Sequence, residues 1–394
     1  MYGIPYFIVF IIFLSLCIPI VQTNNCGQIQ LRHSSNMLKY VVLLIVFLFF
    51  YGLRQHVLTD WFEYENTFDF LPSLFSKDFI NSYNFVKAYT GNVEKGFVLF
   101  TILCKTICSS FYFFQFINTL IDFCLLTVFF KKYLNNRFYW GFLCFFIFYG
   151  NLFEINLMRN IKALLLFLFS IKYIERKRFV KFLLLNICGA LFHSSSFLLI
   201  PLYFILDKKI NRKIILSLFI IGNLFFIFHI SLFTTLLNSL ITHFSEGVGR
   251  KFTAYLLDDS SKRGFSPSYV ERIITFCFFF ACSKKFNLYD NSKLRIIINS
   301  FYIYVLIPLF FDYTIFYERV MPLFAYSYWI LYPICYFNLS KNKKQIFLLL
   351  FIIYGSYASI HSNNNIIAKY NNIIFKEEDR NERIREIYHY WGRL

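Results

Sequence analysis

Residues 156–206 read NLMRNIKALLLFLFSIKYIERKRFVKFLLLNICGALFHSSSFLLIPLYFIL. An apolar run opens with Arg159 and ends in the basic cluster Glu175-Arg176-Lys177-Arg178. A second apolar run follows, interrupted by His193-Ser194-Ser195-Ser196. Charge inside a membrane-length apolar run costs roughly 2.5–3.5 kcal/mol for arginine or lysine at a helix centre. A chain that keeps polar groups there either uses them or hides them in a bundle. Residues 179–206 have a basic cluster at each end, the second being Lys208-Lys209 with Arg212-Lys213. Basic turns mark the cytoplasmic side, so a single crossing would strand one cluster on the wrong side. A re-entrant hairpin keeps both inside, with two arms of about 13 residues that each rise roughly 20 Å. Its apex, near His193, then falls at or beyond the bilayer midplane, where polar backbone is tolerated if buried in protein or lining a cavity.

Composition extends that reading to the whole chain. Of 394 residues, 58% are hydrophobic and 16% charged, against about 45–50% and 25% in soluble domains. The expected class is therefore all-α and polytopic. A net charge of +18 would suggest nucleic acid in a soluble protein. Here the basic residues sit in short turns between apolar runs and form no stripe interleaved with stacking aromatics, which excludes that partner. Most of the ten cysteines lie within apolar runs and none forms a C-x-x-C. They read as small buried hydrophobes, and neither a metal site nor a disulfide framework is expected.

Taken in order, residues 6–21 form the first expected span. Arg32, His33 and Lys39 mark a cytoplasmic turn before the second, at 39–53. Residues 54–95 form a polar external loop, and 96–108 an amphipathic segment at the outer interface. Spans follow at 111–130, 138–153 and 157–174, then the hairpin, then 214–233. A second external loop is expected at 234–268, with Gly247-Val248-Gly249-Arg250 read as a flexible turn. Further spans lie at 269–282, 294–311, 320–337 and 347–360. The count is about ten spans plus the hairpin, or twelve if its arms are scored separately. Residues 1–361 form one membrane domain, and 362–394 a polar, helical tail.

Several short motifs in fixed order resemble the EpsG family of bacterial polysaccharide polymerases, functionally akin to Wzy-type O-antigen and capsule polymerases. Gly52-Leu53-Arg54 followed by Thr59-Asp60-Trp61 and Tyr64 is similar to its G-x-R and T-D-x-x-x-Y signature. Glu94-Lys95-Gly96-Phe97 is similar to its E-x-G-[FY] element, and Glu318-Arg319 to its E-R pair. Arg159, the basic turn and the His-Ser-Ser element complete the set. The resemblance implies transfer of a growing glycan from undecaprenyl diphosphate to the non-reducing end of an incoming lipid-linked repeat, at the outer face of the bacterial cytoplasmic (inner) membrane. No cofactor is implied, because diphosphate is the leaving group. A chain-length regulator and a flippase are the implied protein partners. The alternative is a flippase or exporter of the same lipid-linked glycan, although no internal repeat of helices is visible.

The charge rule alone gathers Arg54, Asp60, Arg159, His193, Arg272 and Arg319 in the outer half of the membrane. Arginine forks suit a diphosphate, being permanently charged and bidentate. Arg159, Arg319, Arg54 and Arg272 are accordingly the expected diphosphate ligands, with His193 or Asp60 as the base for an acceptor hydroxyl. Each has a plainer alternative. Arg159 and Arg319 open helices where arginines snorkel to headgroups. His193 could be a satisfied bundle histidine, and Asp60 could pair with Arg54.

Overall fold

The computed structural model describes residues 2–18, 21–23, 29–31, 36–89, 93–230, 266–310, 319–375, 378–390 and 392. The chain is all-α and polytopic, with one short antiparallel strand pair, β1 (Val21–Thr23) and β2 (Ile29–Leu31). It divides into two compact units. The first holds Met1–Ser170, Val180–Ile200 and Leu339–Leu394; the second holds residues 171–179 and 201–338.

In the first unit, α1 (Ile4–Cys17) and α2 (Asn36–Phe47) are joined through the strand pair. Lys39 Nζ donates to the carbonyls of Leu16 (3.1 Å) and Ile18 (2.7 Å), so one basic side chain closes the unsatisfied C-terminal end of α1. A π-helical turn, Leu48–Gly52, ends the α2 run. Three helices follow outside the long apolar runs or at their edge: α3 (Trp61–Phe70), α4 (Phe79–Tyr89) and α5 (Lys95–Ile107). On α5, Phe97, Val98, Thr101, Ile102 and Cys104 are buried, whereas Leu99, Leu103 and Ile107 are exposed at a spacing of four. Both faces of the helix are thus largely apolar. Lys105 anchors it, donating to the carbonyls of Phe68 (2.7 Å) and Asp69 (2.8 Å) at the end of α3.

Among the described residues, three helical runs are long and apolar enough to cross a membrane: Phe111–Gly150, Ser292–Phe310 and Lys341–His361. The first is two helices, α6 (Phe111–Leu134) and α7 (Phe138–Phe145). Asn135 turns the chain in the left-handed region (φ 50°), and α7 then folds back on α6. Ring contacts of 5.0 Å between Phe130 and Phe142 and 5.1 Å between Phe123 and Phe142 bind the pair. A kink at Phe148 (φ −110°, ψ 91°) and Tyr149 (φ 69°, ψ 0°) and a π-helical turn, Leu152–Asn156, lead into α8 (Met158–Glu175). Several apolar segments expected as single spans are thus built from a short α-helix plus a π or 3-10 turn. Such turns occur often at functional positions.

The expected hairpin is present. Its arms are α9 (Phe179–Ala190), about 18 Å long at 1.5 Å per residue, and a 3-10 segment, Ser194–Phe204, about 22 Å long at 2.0 Å per residue. Both fall short of a bilayer core of about 30 Å. The arms meet near the tip, where Ser196 Oγ donates to Asn186 O (2.8 Å) and a Cβ at Gly189 would lie 2.6 Å from Ser196 Oγ. At the base, Phe179 packs its ring on Tyr203 (4.9 Å), and Lys177 Nζ reaches Asp207 Oδ2 (2.5 Å). Both basic clusters therefore lie at one end of the hairpin.

The second unit contains α10 (Arg212–Ile227), α11 (Pro267–Lys285), α12 (Ser292–Phe310), a 3-10 turn (Met321–Phe324) and α13 (Tyr326–Asn338). Asp207 is fixed on α12 by Arg295 Nε (3.0 Å), Arg295 Nη2 (2.5 Å) and Ser292 Oγ (2.6 Å). Asn299 Nδ2 donates to the carbonyls of Leu206 and Lys208, both at 2.8 Å. The expected external loop at 234–268 lies outside the described residues up to 265, Gly247 to Arg250 included.

In the first unit, α14 (Lys341–His361) exposes the apolar side chains Ile346, Leu349, Leu350 and Ile353. The polar tail then folds back on the segment after α2. Gln55 N donates to Asn371 O (3.0 Å), Leu58 N to Ile367 O (3.0 Å) and Ile373 N to Leu53 O (3.1 Å). Helix α15 (Arg380–Tyr390) buries Arg383 completely, its guanidinium on the carbonyls of His56, Ile366 and Ile367, each at 2.9 Å.

Candidate functional site

Arg159 stands in the first turn of α8, and three of the sequence motifs converge on it within the first unit. The turn before α8 supplies Asn156, whose Oδ1 accepts from the backbone N–H of Asp60 (2.9 Å) and of Thr59 (3.1 Å). Tyr64 Oη donates to Asn156 O at 2.9 Å. The T-D-x-x-x-Y motif is therefore a clamp. Its backbone and its tyrosine hold α3 against the start of α8, and Asp60 stays half-buried with Oδ1 accepting from Thr59 Oγ1 (3.2 Å). Burial and the nearby Asp60 push the Tyr64 phenol above its ordinary value against the opposing pull of Arg159.

The E-x-G-F element approaches from the other direction. Leu191 O, at the hairpin tip, accepts from Gly96 N (2.8 Å) and Phe97 N (3.2 Å), two N–H groups in the first turn of α5 that lack an intrahelical partner. This approach requires glycine, because a Cβ at residue 96 would lie 2.7 Å from Leu191 O. Glu94 then bridges two structures. Its Oε2 accepts from Arg159 Nη1 (2.9 Å) and its Oε1 from the backbone N–H of Ser194 (3.3 Å).

The guanidinium itself lies over the rings of Tyr64 (5.7 Å) and Phe97 (5.8 Å). Those rings belong to a core with Phe68, Phe111, Phe114 and Met158. Arg159 thus leans on an aromatic floor, is held on one nitrogen, and keeps 30% of its side chain exposed. At the hairpin tip, His193 Nδ1 accepts from Ser195 N (3.1 Å) and lies 2.9 Å from Ser195 Oγ. An accepting Nδ1 places the proton of a neutral imidazole on Nε2. In that form His193 is equipped to donate a hydrogen bond, and not to accept a proton at Nε2.

Within the same unit, Arg54 stands apart from this arrangement. Arg54 is 1% exposed. Its Nη1 donates to the Tyr51 carbonyl and its Nη2 contacts Ile155 O and Met158 Sδ, both at 3.4 Å. A guanidinium enclosed among backbone carbonyls does not present itself to a diphosphate. Arg54 braces the chain ahead of Arg159, and its own backbone carbonyl is held by Gln115 Nε2 (2.8 Å). Asp60 places its backbone N–H on Asn156 Oδ1 and its Oδ1 on Thr59 Oγ1. Arg272 and Arg319 belong to the second unit. Arg272, on α11, is 6% exposed, beside a Glu271 carboxylate that accepts from Tyr332 Oη (3.3 Å) and Tyr328 Oη (3.4 Å). Arg319 is exposed, just before the 3-10 turn, and Glu318 lies outside the described residues.

Sequence reasoning passed over a buried pair beneath this site. Asp122 on α6 and Lys162, one turn beyond Arg159 on α8, form an ion pair with both side chains almost fully enclosed. Lys162 Nζ also donates to Asn118 O (3.0 Å). The available signal was Asp122, the single charge of the apolar run 111–130, since a lone charge there usually pairs with an opposite one.

The EpsG family model matches residues 37–373. No curated protein and no solved structure matches the chain significantly. The matched region contains Asp60, Glu94, Arg159 and His193, the residues that meet around the start of α8. The chain belongs to the EpsG family, as a membrane protein of polysaccharide biosynthesis.

Proposed function

We propose that the protein polymerises a surface polysaccharide, O-antigen or capsule, at the outer face of the bacterial cytoplasmic membrane. It transfers the growing chain from undecaprenyl diphosphate to the non-reducing end of an incoming lipid-linked repeat. The observation that carries this reading is Arg159: a partly exposed guanidinium backed by two aromatic rings, with Nη1 on Glu94 Oε2. A second edge of the guanidinium remains for an anion, and family membership makes a lipid diphosphate the fitting one.

In the reaction, the bond between the anomeric carbon and the diphosphate oxygen breaks, and its electron pair leaves on the diphosphate. The acceptor hydroxyl oxygen bonds to that carbon and gives up its proton. Arg159 neutralises the departing charge, the kind of interaction worth about 2.7–4 kcal/mol in a preorganised site. Asp60, a half-buried carboxylate, is the base. His193 Nε2–H donates to the substrate from the hairpin tip. A flippase delivers the substrate, and a chain-length regulator limits the product.

The test is a deletion strain. It should carry surface glycan with one repeat per acceptor in place of a ladder, and the wild-type gene should restore the ladder. Loss of even the single-repeat form, with substrate retained on the inner face, would show a flippase instead.

A further inference from the structure

Glu94 precedes α5 in the N-cap position, with extended backbone (φ −61°, ψ 130°). An acid there ordinarily accepts from the first-turn N–H groups of its own helix. Glu94 makes no such bond. Leu191 O takes the Gly96 and Phe97 N–H groups in its place, and the Glu94 carboxylate is turned outward. One of its oxygens holds Arg159 Nη1 at 2.9 Å, and the other reaches the hairpin tip through Ser194 N at 3.3 Å. The pair with Glu94 is single-pronged, through Nη1, and Arg159 keeps 30% of its side chain exposed.

We propose that Glu94 is a built-in competitor for the anion at Arg159, a positioning residue that holds the arginine and the hairpin tip together while no diphosphate is bound. The proposal rests on the diphosphate reading of Arg159 and adds its regulation. A diphosphate offers paired oxygens and more charge than a carboxylate, so it displaces Glu94 from the guanidinium. Once parted from Arg159, Glu94 keeps only the longer hydrogen bond from Ser194, and the hairpin tip is released for the acceptor. After transfer, the carboxylate returns to Arg159 and speeds departure of the leaving diphosphate. Glu94 touches no reacting atom in this scheme.

The sign of one measurement separates this role from simple bracing. The full-length protein in lipid nanodiscs is titrated with geranylgeranyl diphosphate as the probe, in wild-type, Glu94→Gln, Arg159→Ala and doubly substituted forms. Glutamine keeps an oxygen for Ser194 N but loses the charge. Glu94→Gln should bind the probe about tenfold more tightly, on the scale of one charged hydrogen bond, and release it more slowly. The gain should vanish when Arg159→Ala is added. Unchanged or weaker binding by Glu94→Gln, with Arg159→Ala still impaired, overturns the competitor role and leaves the diphosphate reading standing. Unchanged binding by Arg159→Ala overturns both. Should the glutamine variant fail to fold, Glu94→Asp, too short to span both partners, is expected to tighten binding in the same direction.

Discussion

At Arg159 the two available roles differ in one substitution. A guanidinium leaning on Tyr64 and Phe97 and offering a planar edge to phosphate is not replaced by an ammonium, which lacks the fork. Arg159→Lys should therefore lower ladder formation by on the order of a hundredfold or more at matched membrane levels, the usual cost of removing a charge-stabilising donor. A full ladder from the lysine variant would mark Arg159 as a lipid anchor. Gly96 allows a second residue-scale prediction. A methyl group there meets the Leu191 backbone at 2.7 Å, and backbone cannot rotate away as a side-chain tip can. Gly96→Ala should cost about 1–3 kcal/mol, the range for overpacking, read as a lower melting temperature in detergent, together with a weakened ladder.

Among the elements, the hairpin was legible because basic residues are tied to one side of a membrane whatever the fold does between them. That rule predicts a doubling-back within 179–206, and the ion pair of Lys177 with Asp207 is its structural expression. Reporter fusions at Lys177 and Lys209 should both read cytoplasmic, and an external signal at Lys209 would remove the hairpin. The knot at its base also sets a pH dependence. Burial raises the Asp207 carboxyl, but hydrogen bonds from Lys177, Ser292 and Arg295 and the charge of Arg295 outweigh it, holding the group below its ordinary value. A depressed carboxylate contributes stability that is complete above its unfolded-state pKa and is lost as pH falls through the folded one. Melting curves at neutral pH should show Asp207→Asn destabilised by about 2 kcal/mol, the worth of hydrogen bonds to a charged group. The difference from wild type should close in acid, and one that persists unchanged there would contradict the assignment.

Over the whole molecule, the apolar runs and their order were readable, whereas the partners of polar groups were not. Arg54 and Arg159 look alike in sequence, both being arginines beside short motifs. Only the fold shows one among carbonyls and the other partly exposed over rings. The tail is a case of the same kind: its mixed charges gave no sign that Arg383 is wholly buried on three carbonyls. Those bonds tie the tail to the strand-like segment leading to Asp60, so deleting residues 376–394 should strip the ladder along with the protein's heat resistance. The most direct measurement of the central claim uses the purified protein in lipid nanodiscs with a synthetic undecaprenyl-diphosphate-linked repeat as the sole substrate. A ladder of products, with undecaprenyl diphosphate released at each step and both signals abolished in Arg159→Lys, is the predicted result. Intact single repeats after prolonged incubation, from wild-type protein that binds the substrate, would contradict it.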